Sequence, residues 1–264
     1  MTTLHDRTPG GLRARLHGGP SLFGTWVHTV SPELVETIGA VGFDIVLLDM
    51  EHGEFGIEAV PQLLRAARAG GCFGLVRMPG PDASLLGRIL DAGADAVMVP
   101  NVSSADTVRT SVRAGRYPPE GDRGASPAVR AARYTVDSFQ ALRARALDDI
   151  AVCVQVEGPD GIAGLDAMLD EVPDLVFIGT FDLSQHLGVA GQADHPVVVE
   201  AMHGIVAKAR ARDVATGTWA PSPAAAAPWV AAGMALVSVS NSSILFTGAC
   251  RDLIAELREL PTGS

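Results

Sequence analysis

The sequence predicts a single (β/α)8 barrel, in which eight parallel strands are surrounded by helices. Three observations support this fold class. The chain has 264 residues, a usual length for one such barrel. Short apolar runs alternate along it with longer segments of helical periodicity. No GxGxxG or P-loop turn follows a strand candidate, which disfavours the alternative fold, a doubly wound open sheet.

Each repeat of the pattern begins with an apolar run of strand length. The run at residues 44–49 is nearly all apolar, as expected for a strand buried on both faces. A helix is predicted to begin after the first run, because Ser31 can act as its N-cap, with Pro32 and the acidic Glu33 in its first turn. Gly42 is predicted to end this helix. The predicted strands cover residues 23–28, 44–49, 73–78, 96–100, 151–157, 175–180, 215–220 and 236–240.

Helices are predicted between these strands and after the last one. They cover residues 31–42, 57–69, 82–92, a segment capped by Ser103 or Ser104, 137–147, a segment from about 159, 196–212 and 244–260. Residues 116–133 interrupt the alternation, because they are rich in Gly, Pro and Arg and have no period; long ordered loops of this kind are usually functional. We predict residues 1–20 as an N-terminal extension and residues 21–264 as one barrel domain.

Composition narrows the choice of partners and location. Apolar residues make up 47% of the chain, which is enough for a large core, and the net charge of −10 disfavours nucleic acid and anionic membranes as partners. Cys72, Cys153 and Cys250 are widely spaced, and the apolar runs around two of the cysteines favour buried small side chains. With no apolar leader and no 18-residue apolar run, the sequence predicts a cytoplasmic protein in a reducing compartment.

Polar side chains collect at the carboxyl ends of the predicted strands, where barrel enzymes place their active sites. Solvated loops would also be polar, but they explain less well why single Arg, His and Glu residues directly follow apolar runs. The residues at these ends are His28, Asp49, Glu51, His52, Arg77, Asn101, Gln155, Glu157, Thr180, Asp182, Trp219, Ser240 and Asn241.

Two of these residues are candidate metal ligands. Glu157 and Asp182 follow neighbouring strands, and carboxylates at two adjacent strand ends suit a hard divalent ion such as Mg²⁺ or Mn²⁺. The alternative is that both are acids at helix starts, which the following Gly158 and Pro159 fit equally well for Glu157.

Three other residues bear on the type of chemistry. Arg77 could hold a carboxylate or carbonyl oxygen, or it could form a structural ion pair with Asp49 or Glu51. His52 is a candidate general base, although an ordinary loop histidine would look the same. Lys208 is the only lysine and falls inside a predicted helix, which disfavours a Schiff-base mechanism. Carbonyl chemistry here would therefore need a metal as electron sink.

Several segments together resemble the metal-dependent pyruvate aldolases of the HpcH/HpaI family. The resemblance runs from about Gly24 to the last helix. It is carried by GFD at 42–44, DMEHG at 49–53, VRMP at 76–79, LDAGA at 90–94, VP at 99–100, RYPP at 116–119, GDRG at 121–124, VQVE at 154–157, FIG at 177–179 and DLS at 182–184.

The resemblance implies a carbon–carbon lyase that acts on a small 2-oxo acid and an aldehyde. It implies that Glu157 and Asp182 bind a divalent metal (Mg²⁺, Mn²⁺ or Co²⁺) and that Arg77 holds the pyruvyl oxygens. His52 would be the base, acting through a water on the metal and paired with Asp91. The resemblance also places Gln155 beside the metal and substrate. It implies a homo-oligomer, a hexamer or trimer, with the C-terminal helix exchanged between subunits and active sites near an interface.

The chain departs from the family pattern around the predicted substrate site. Thr180 and Phe181 replace the usual Pro-Ala before the metal-binding aspartate, Asn101 replaces a usual methionine, and Trp219 replaces a common aliphatic residue. We therefore predict that Thr180, Phe181 and Trp219 line a reshaped substrate pocket together with Arg77 and Gln155. Two alternatives remain: a biosynthetic enzyme of the same family that uses the metal enolate for another condensation or cyclisation, and a non-catalytic oligomeric barrel.

Overall fold

Eight parallel strands form a closed barrel in the order β1 to β8, with each strand paired to its neighbours in sequence and β8 paired to β1. The computed structural model describes residues 11–260. The predicted (β/α)8 fold is confirmed, and the ends of every predicted strand lie within two residues of the observed ones. The strands are β1 Leu22–Val27, β2 Ile45–Asp49, β3 Phe73–Arg77, β4 Ala96–Val99, β5 Ala151–Val156, β6 Leu175–Ile178, β7 Ala215–Ala220 and β8 Leu236–Asn241.

Twelve α-helices are found within the described residues. They are α1 Leu12–His17, α2 Pro32–Ala40, α3 Val60–Gly70, α4 Ala83–Asp91, α5 Ala105–Gly115, α6 Phe139–Asp148, α7 Pro159–Ala163, α8 Leu165–Leu169, α9 Thr180–His186, α10 Pro196–Arg210, α11 Pro223–Ala231 and α12 Ser242–Arg258. No helix in this part of the chain is long and apolar enough to cross a membrane.

Three of these helices, α1, α9 and α11, were not predicted. Thr180 was expected at a strand end, but β6 stops at Ile178 and the carbonyl of Gly179 accepts the first helical hydrogen bond of α9 from the Leu183 amide, at 2.9 Å. Helix α11 is an alanine-rich run that contains Pro228, so it has no alternation of polar and apolar residues to signal it.

Side chains of each strand alternate between the barrel interior and the layer of helices. Leu47 of β2 and Leu75 of β3 belong to the interior cluster, whereas Val46 and Val76 pack against the helices. Because side chains two residues apart share a face, the next inward positions on β2 and β3 are their last residues, 49 and 77. The same alternation brings residues 26 and 155 inward at the carboxyl end of the barrel, and thus it builds the site described below.

Helix α1 closes the opposite end of the barrel. Its Leu12 and Leu16 are buried in the interior cluster. Arg13 of α1 and Arg116 both form ion pairs with the buried carboxylate of Asp174, each at 2.6 Å. These ion pairs hold α1 against this end of the barrel. Helix α1 falls within the segment predicted as an extension, whose first ten residues lie outside the described part of the chain, as do residues 261–264.

Helix α12 leaves most of its apolar side chains exposed. Of its 17 residues only Ser242 is buried. The exposed apolar residues of α12 are Ile244, Leu245, Phe246, Leu253, Ile254 and Leu257. An apolar groove of about 770 Å³ lies beside it and beside α11. The groove is lined in part by Phe23, Phe43, Ala226, Val230 and Val239.

Candidate active site

Arg77 lies at the centre of the polar residues at the barrel mouth. Its guanidinium donates two hydrogen bonds to Asp49, at 2.8 and 2.6 Å, and a long one of 3.4 Å to Oε1 of Gln155. Nη1 is 3.0 Å from Oε2 of Glu51, and the guanidinium carbon is 4.4 Å from the centroid of the Trp26 ring. The ion pairs considered for Arg77 are therefore both present, and they hold the guanidinium rigidly at the mouth.

Asp49 is the anchor for this arrangement. Its carboxylate accepts from Nε2 of His28 at 3.0 Å and from the main-chain amides of Glu51 and His52 at 3.0 and 3.4 Å, in addition to Arg77. Burial by itself would raise the pKa of Asp49, but the hydrogen bonds from His28 and Arg77 and the charge of Arg77 outweigh it and hold the pKa well below its usual range. Asp49 is therefore ionised at physiological pH.

Glu157 is held on both carboxylate oxygens. The main-chain amide of Asn101 donates to Oε1 at 3.0 Å, and Nε2 of Gln155 donates to Oε2. Gly179 makes room for this, since a Cβ there would lie 2.5 Å from Oε2 of Glu157. Gly158, not Glu157, caps helix α7. The helix-start alternative for Glu157 is thus wrong: the side chain is fixed at the barrel mouth.

Asp182 and Glu51 add negative charge beside Glu157. Burial is the largest cause that raises the pKa of Glu157 to about 7, and repulsion from Asp182 and Glu51 adds to it, against the lowering by Gln155 and Arg77. The pKa of Glu51 is also raised, first by burial. Asp182 lies in the first turn of α9, so the helix-start alternative does describe its position.

These carboxylates fit a hard divalent cation. Within residues 11–260 no three His, Cys, Asp or Glu side chains are already grouped as metal ligands. Two carboxylates are nevertheless the usual protein share of a Mg²⁺ site, which takes its other ligands from water and substrate. The pKa values of Glu51 and Glu157 are both raised, first by burial and also by repulsion from neighbouring carboxylates. A cation at this place would offset that repulsion.

His52 and Asp91 are not brought together within one chain. His52 follows β2 at the mouth, close enough to Glu51 to lower its pKa. Asp91 is the last residue of α4, which runs from the mouth back toward the other end of the barrel over nine residues, a rise of about 13 Å. There Asp91 accepts a hydrogen bond from Nη2 of the buried Arg123, at 2.7 Å. Any pairing of this acid with His52 therefore needs a second copy of the chain.

Thr180, Phe181 and Trp219 lie at the ends of β6 and β7. Oγ1 of Thr180 donates to the Trp219 carbonyl at 3.4 Å, and the Trp219 indole donates to the Ser240 carbonyl at 3.1 Å. Thr180 and Trp219 also border a largely apolar pocket of about 400 Å³, reaching to Trp229 of α11. Phe181 is 58% exposed, immediately beside Asp182 in sequence. Its ring is therefore free to contact a ligand or another subunit.

Sequence reasoning missed three contributors to the site. Trp26 lies under Arg77, and the alternation of β1 could have placed it at the mouth. His186 contacts the main chain of both candidate metal ligands. Its Nδ1 atom is 3.1 Å from the main-chain carbonyl oxygen of Glu157 and 2.9 Å from that of Asp182. His28 was noted at a strand end without a role.

Comparisons with known proteins show the family of this chain. The model of the HpcH/HpaI aldolase/citrate lyase family matches residues 22–247. The chain is 34% identical to a hydroxypyruvate/pyruvate aldolase of Paraburkholderia phytofirmans, covering 94% of this chain and 97% of that protein. It is 32% identical to a 2-keto-3-deoxy-L-rhamnonate aldolase of Salmonella gallinarum, covering 94% and 93%. A crystal structure of a protein of the same family from Burkholderia cenocepacia superposes with a TM-score of 0.86 at 33% identity, covering 94% of this chain and 99% of that one.

Proposed function

Since this chain belongs to the HpcH/HpaI aldolase/citrate lyase family, we propose that its barrel mouth forms or cleaves the carbon–carbon bond of a 4-hydroxy-2-oxo acid with the help of a divalent metal ion. It is an enzyme of the aldolase type, a lyase. The observation that carries the proposal is the arrangement of Glu157 and its neighbouring carboxylates opposite the fixed guanidinium of Arg77. A scaffold protein would need neither feature.

Glu157 and Asp182 would hold the metal, which is Mg²⁺, Mn²⁺ or Co²⁺ in this proposal. When bound, such an ion polarises the carbonyl of the 2-oxo acid and stabilises the negative charge that develops on its oxygen. Gln155 orients Glu157 through its side-chain amide. Gly179 keeps the space that Glu157 occupies.

Arg77 and His52 would act on the substrate itself. In cleavage, the 4-hydroxyl loses its proton toward His52, the C3–C4 bond breaks, and its electron pair forms the enolate of the 2-oxo acid. Arg77, held by Asp49, donates hydrogen bonds to the oxygens of that enolate. Synthesis is the reverse, in which the enolate attacks an aldehyde and the new hydroxyl takes up the proton.

The proposed function is tested by combining the protein with pyruvate and aldehydes. The purified protein is dialysed against chelator and assayed for aldol formation and for cleavage of 4-hydroxy-2-oxo acids, before and after Mg²⁺, Mn²⁺ or Co²⁺ is added. We expect activity that disappears with the metal and returns with it. Full activity in the chelator-treated protein would contradict the metal-dependent mechanism.

Phe181 is expected to restrict the substrates that the site accepts. Phe181→Ala removes a ring that is already exposed, so the free energy of unfolding should change by less than about 0.5 kcal/mol. Turnover of a larger 2-oxo acid or aldehyde relative to pyruvate should rise by about tenfold. The measurement is kcat/KM over a substrate series, with Val41→Ala, at a side chain 70% exposed, as the control. An unchanged substrate ratio would remove Phe181 from the pocket.

The chain is proposed to act as a homo-oligomer of three or six copies, in the cytoplasm. Its exposed apolar helix α12 and the neighbouring groove would be covered if each copy placed α12 against another, as the family resemblance implies. Association would also let Asp91 of one copy approach His52 of another. The hydrogen bond from Arg123 keeps Asp91 in place for this contact.

Mixed oligomers test the proposed contact between Asp91 and His52. His52→Ala and Asp91→Asn are each expected to be nearly inactive. Coexpressed at equal amounts, they should recover activity in about a quarter of the sites, since an intact His52 then faces an intact Asp91 of another copy. The asparagine retains an acceptor for Arg123. If mixed oligomers gave no activity above the separate variants, a contact between copies would be ruled out.

A second candidate is a biosynthetic enzyme that uses the same enolate for a different condensation or cyclisation. The exposed Phe181 and the Trp219 ring favour it, because both give the site a larger aromatic surface than small aldehydes need. Metal-dependent exchange of the pyruvate methyl protons, without an aldol product from any aldehyde offered, would support this candidate over the first.

A further inference from the structure

His28 occupies the barrel mouth at the end of β1. It follows Trp26 by two residues, so the strand alternation directs it to the interior side. Its Nε2 atom is 3.0 Å from Oδ2 of Asp49. The side chain is 25% exposed, which leaves the ring open to the site and to solvent. A histidine with a buried carboxylate on one ring nitrogen is the arrangement by which proton-transfer enzymes orient an imidazole.

The second ring nitrogen of His28 is available. Among residues 11–260, no group hydrogen-bonds to its Nδ1 atom, whereas its main-chain carbonyl accepts from the Glu54 amide at 3.0 Å. Because Nε2 carries the proton donated to Asp49, Nδ1 is the atom that gains or loses a proton. Asp49 stays ionised and would stabilise the ring when it is charged. His28 thus has the geometry of a proton carrier.

The place of His28 relative to the 2-oxo acid follows from Arg77. Nη2 of Arg77 and Nε2 of His28 share one acceptor, Oδ2 of Asp49, at 2.6 and 3.0 Å. The imidazole and the guanidinium are therefore neighbours, and a substrate whose oxygens were bound by Arg77 would lie within reach of His28. The pairing with Asp49 is formed within one chain, unlike the pairing of His52 with Asp91.

The proposed reaction contains two separate proton transfers. One is at the 4-hydroxyl and is assigned to His52. The other is at carbon C3 of the 2-oxo acid, which must gain a proton to leave as a methyl group after cleavage, or lose one before synthesis. We propose that His28 makes this second transfer. This proposal rests on the proposed aldolase function. In cleavage, Nδ1 of the charged His28 ring gives its proton to C3, where the electron pair of the enolate forms the new C–H bond and the C–O bond becomes a carbonyl again. The ring then takes up a proton from water.

His28→Gln tests this role. The glutamine amide can still donate to Asp49 but cannot transfer a proton at this pH. Deuterium incorporation into the methyl group of pyruvate is followed by NMR in D₂O with metal present. We expect a fall of about 100-fold in exchange, while the dissociation constant for pyruvate changes by less than about twofold. His17→Gln, on the exposed face of helix α1 at the far end of the barrel, is the matched control and should exchange as the wild type does.

Each outcome separates the role of His28 from the proposed function. Wild-type exchange in His28→Gln would overturn the assignment, although metal-dependent cleavage by the wild type would leave the aldolase function standing. An equal loss of pyruvate binding and exchange would also overturn it, because His28 would then only support Asp49. A wild-type protein that neither cleaves nor exchanges would overturn the proposed function itself, and the His28 step with it.

Discussion

Replacing Arg77 with alanine is expected to lower kcat by about 100-fold or more. The guanidinium would donate hydrogen bonds to the oxygen on which negative charge develops, and the loss of one such preorganised donor typically costs about 3–4 kcal/mol in the transition state. Arg77 is buried and already fixed by Asp49 and the Trp26 ring, so little reorganisation accompanies the reaction. Steady-state kinetics for cleavage and synthesis provide the measurement.

The same change should also destabilise the fold, which requires a control. Without Arg77, the fully buried carboxylate of Asp49 loses two hydrogen bonds and its main counter-charge, and removal of one partner of such a pair typically costs about 3–5 kcal/mol. Arg77→Lys keeps the charge but loses the fork of two donors. A folded lysine variant with wild-type kcat would contradict the proposed contact with substrate.

Glu157→Gln is expected to abolish metal-dependent turnover and to change how stability depends on pH. In the metal-free protein the pKa of Glu157 is raised to about 7, above its value of 4.5 in the unfolded chain. Between these two pH values the folded state binds more protons than the unfolded state, so the free energy of unfolding falls as pH rises. This group contributes a fall of about 3 kcal/mol between pH 4.5 and 7, and little change above.

Denaturant unfolding at several pH values measures this effect. Glu157→Gln should reduce the decrease in the free energy of unfolding between pH 4.5 and 7, because glutamine has nearly the same shape and no charge to bury. Added Mg²⁺ or Mn²⁺ should flatten it in the wild type, since a bound cation favours the carboxylate. Glu36→Gln, the same substitution at an exposed position of helix α2, is the matched control and should keep the wild-type profile. If the metal-free wild type and Glu157→Gln showed the same dependence of stability on pH, the raised pKa would not belong to Glu157.

The strands and the mouth of the barrel could be predicted because their signals are local. Apolar runs define the strands, and the period of two places Asp49 and Arg77 on the same inward face. Glu157 could be placed at the mouth because it directly follows such a run. The sequence could not decide between a metal ligand and a helix cap, because that choice depends on Gln155 and the main chain of Asn101, which reach Glu157 only in the folded barrel.

Most of the features that were not predicted depend on how segments far apart in the sequence are placed in the folded chain. The resemblance pairs Asp91 with His52, but the direction of helix α4 separates the two residues within one chain, a fact that no motif carries. The contact of His28 with Asp49 joins β1 to β2 and has no sequence spacing that would signal it. Helix α11 lacked an amphipathic pattern because it is composed mostly of small alanines, with a proline inside.

The proposed association through helix α12 would make thermal stability depend on protein concentration. Its apolar side chains and the groove of about 770 Å³ stay in contact with water in an isolated chain. If association covers them, the folded oligomer is favoured by mass action, and the melting temperature rises with the total concentration. When the protein is diluted below the dissociation constant of the oligomer, its melting temperature and its specific activity should both decrease. The two decreases should occur over the same range of protein concentration.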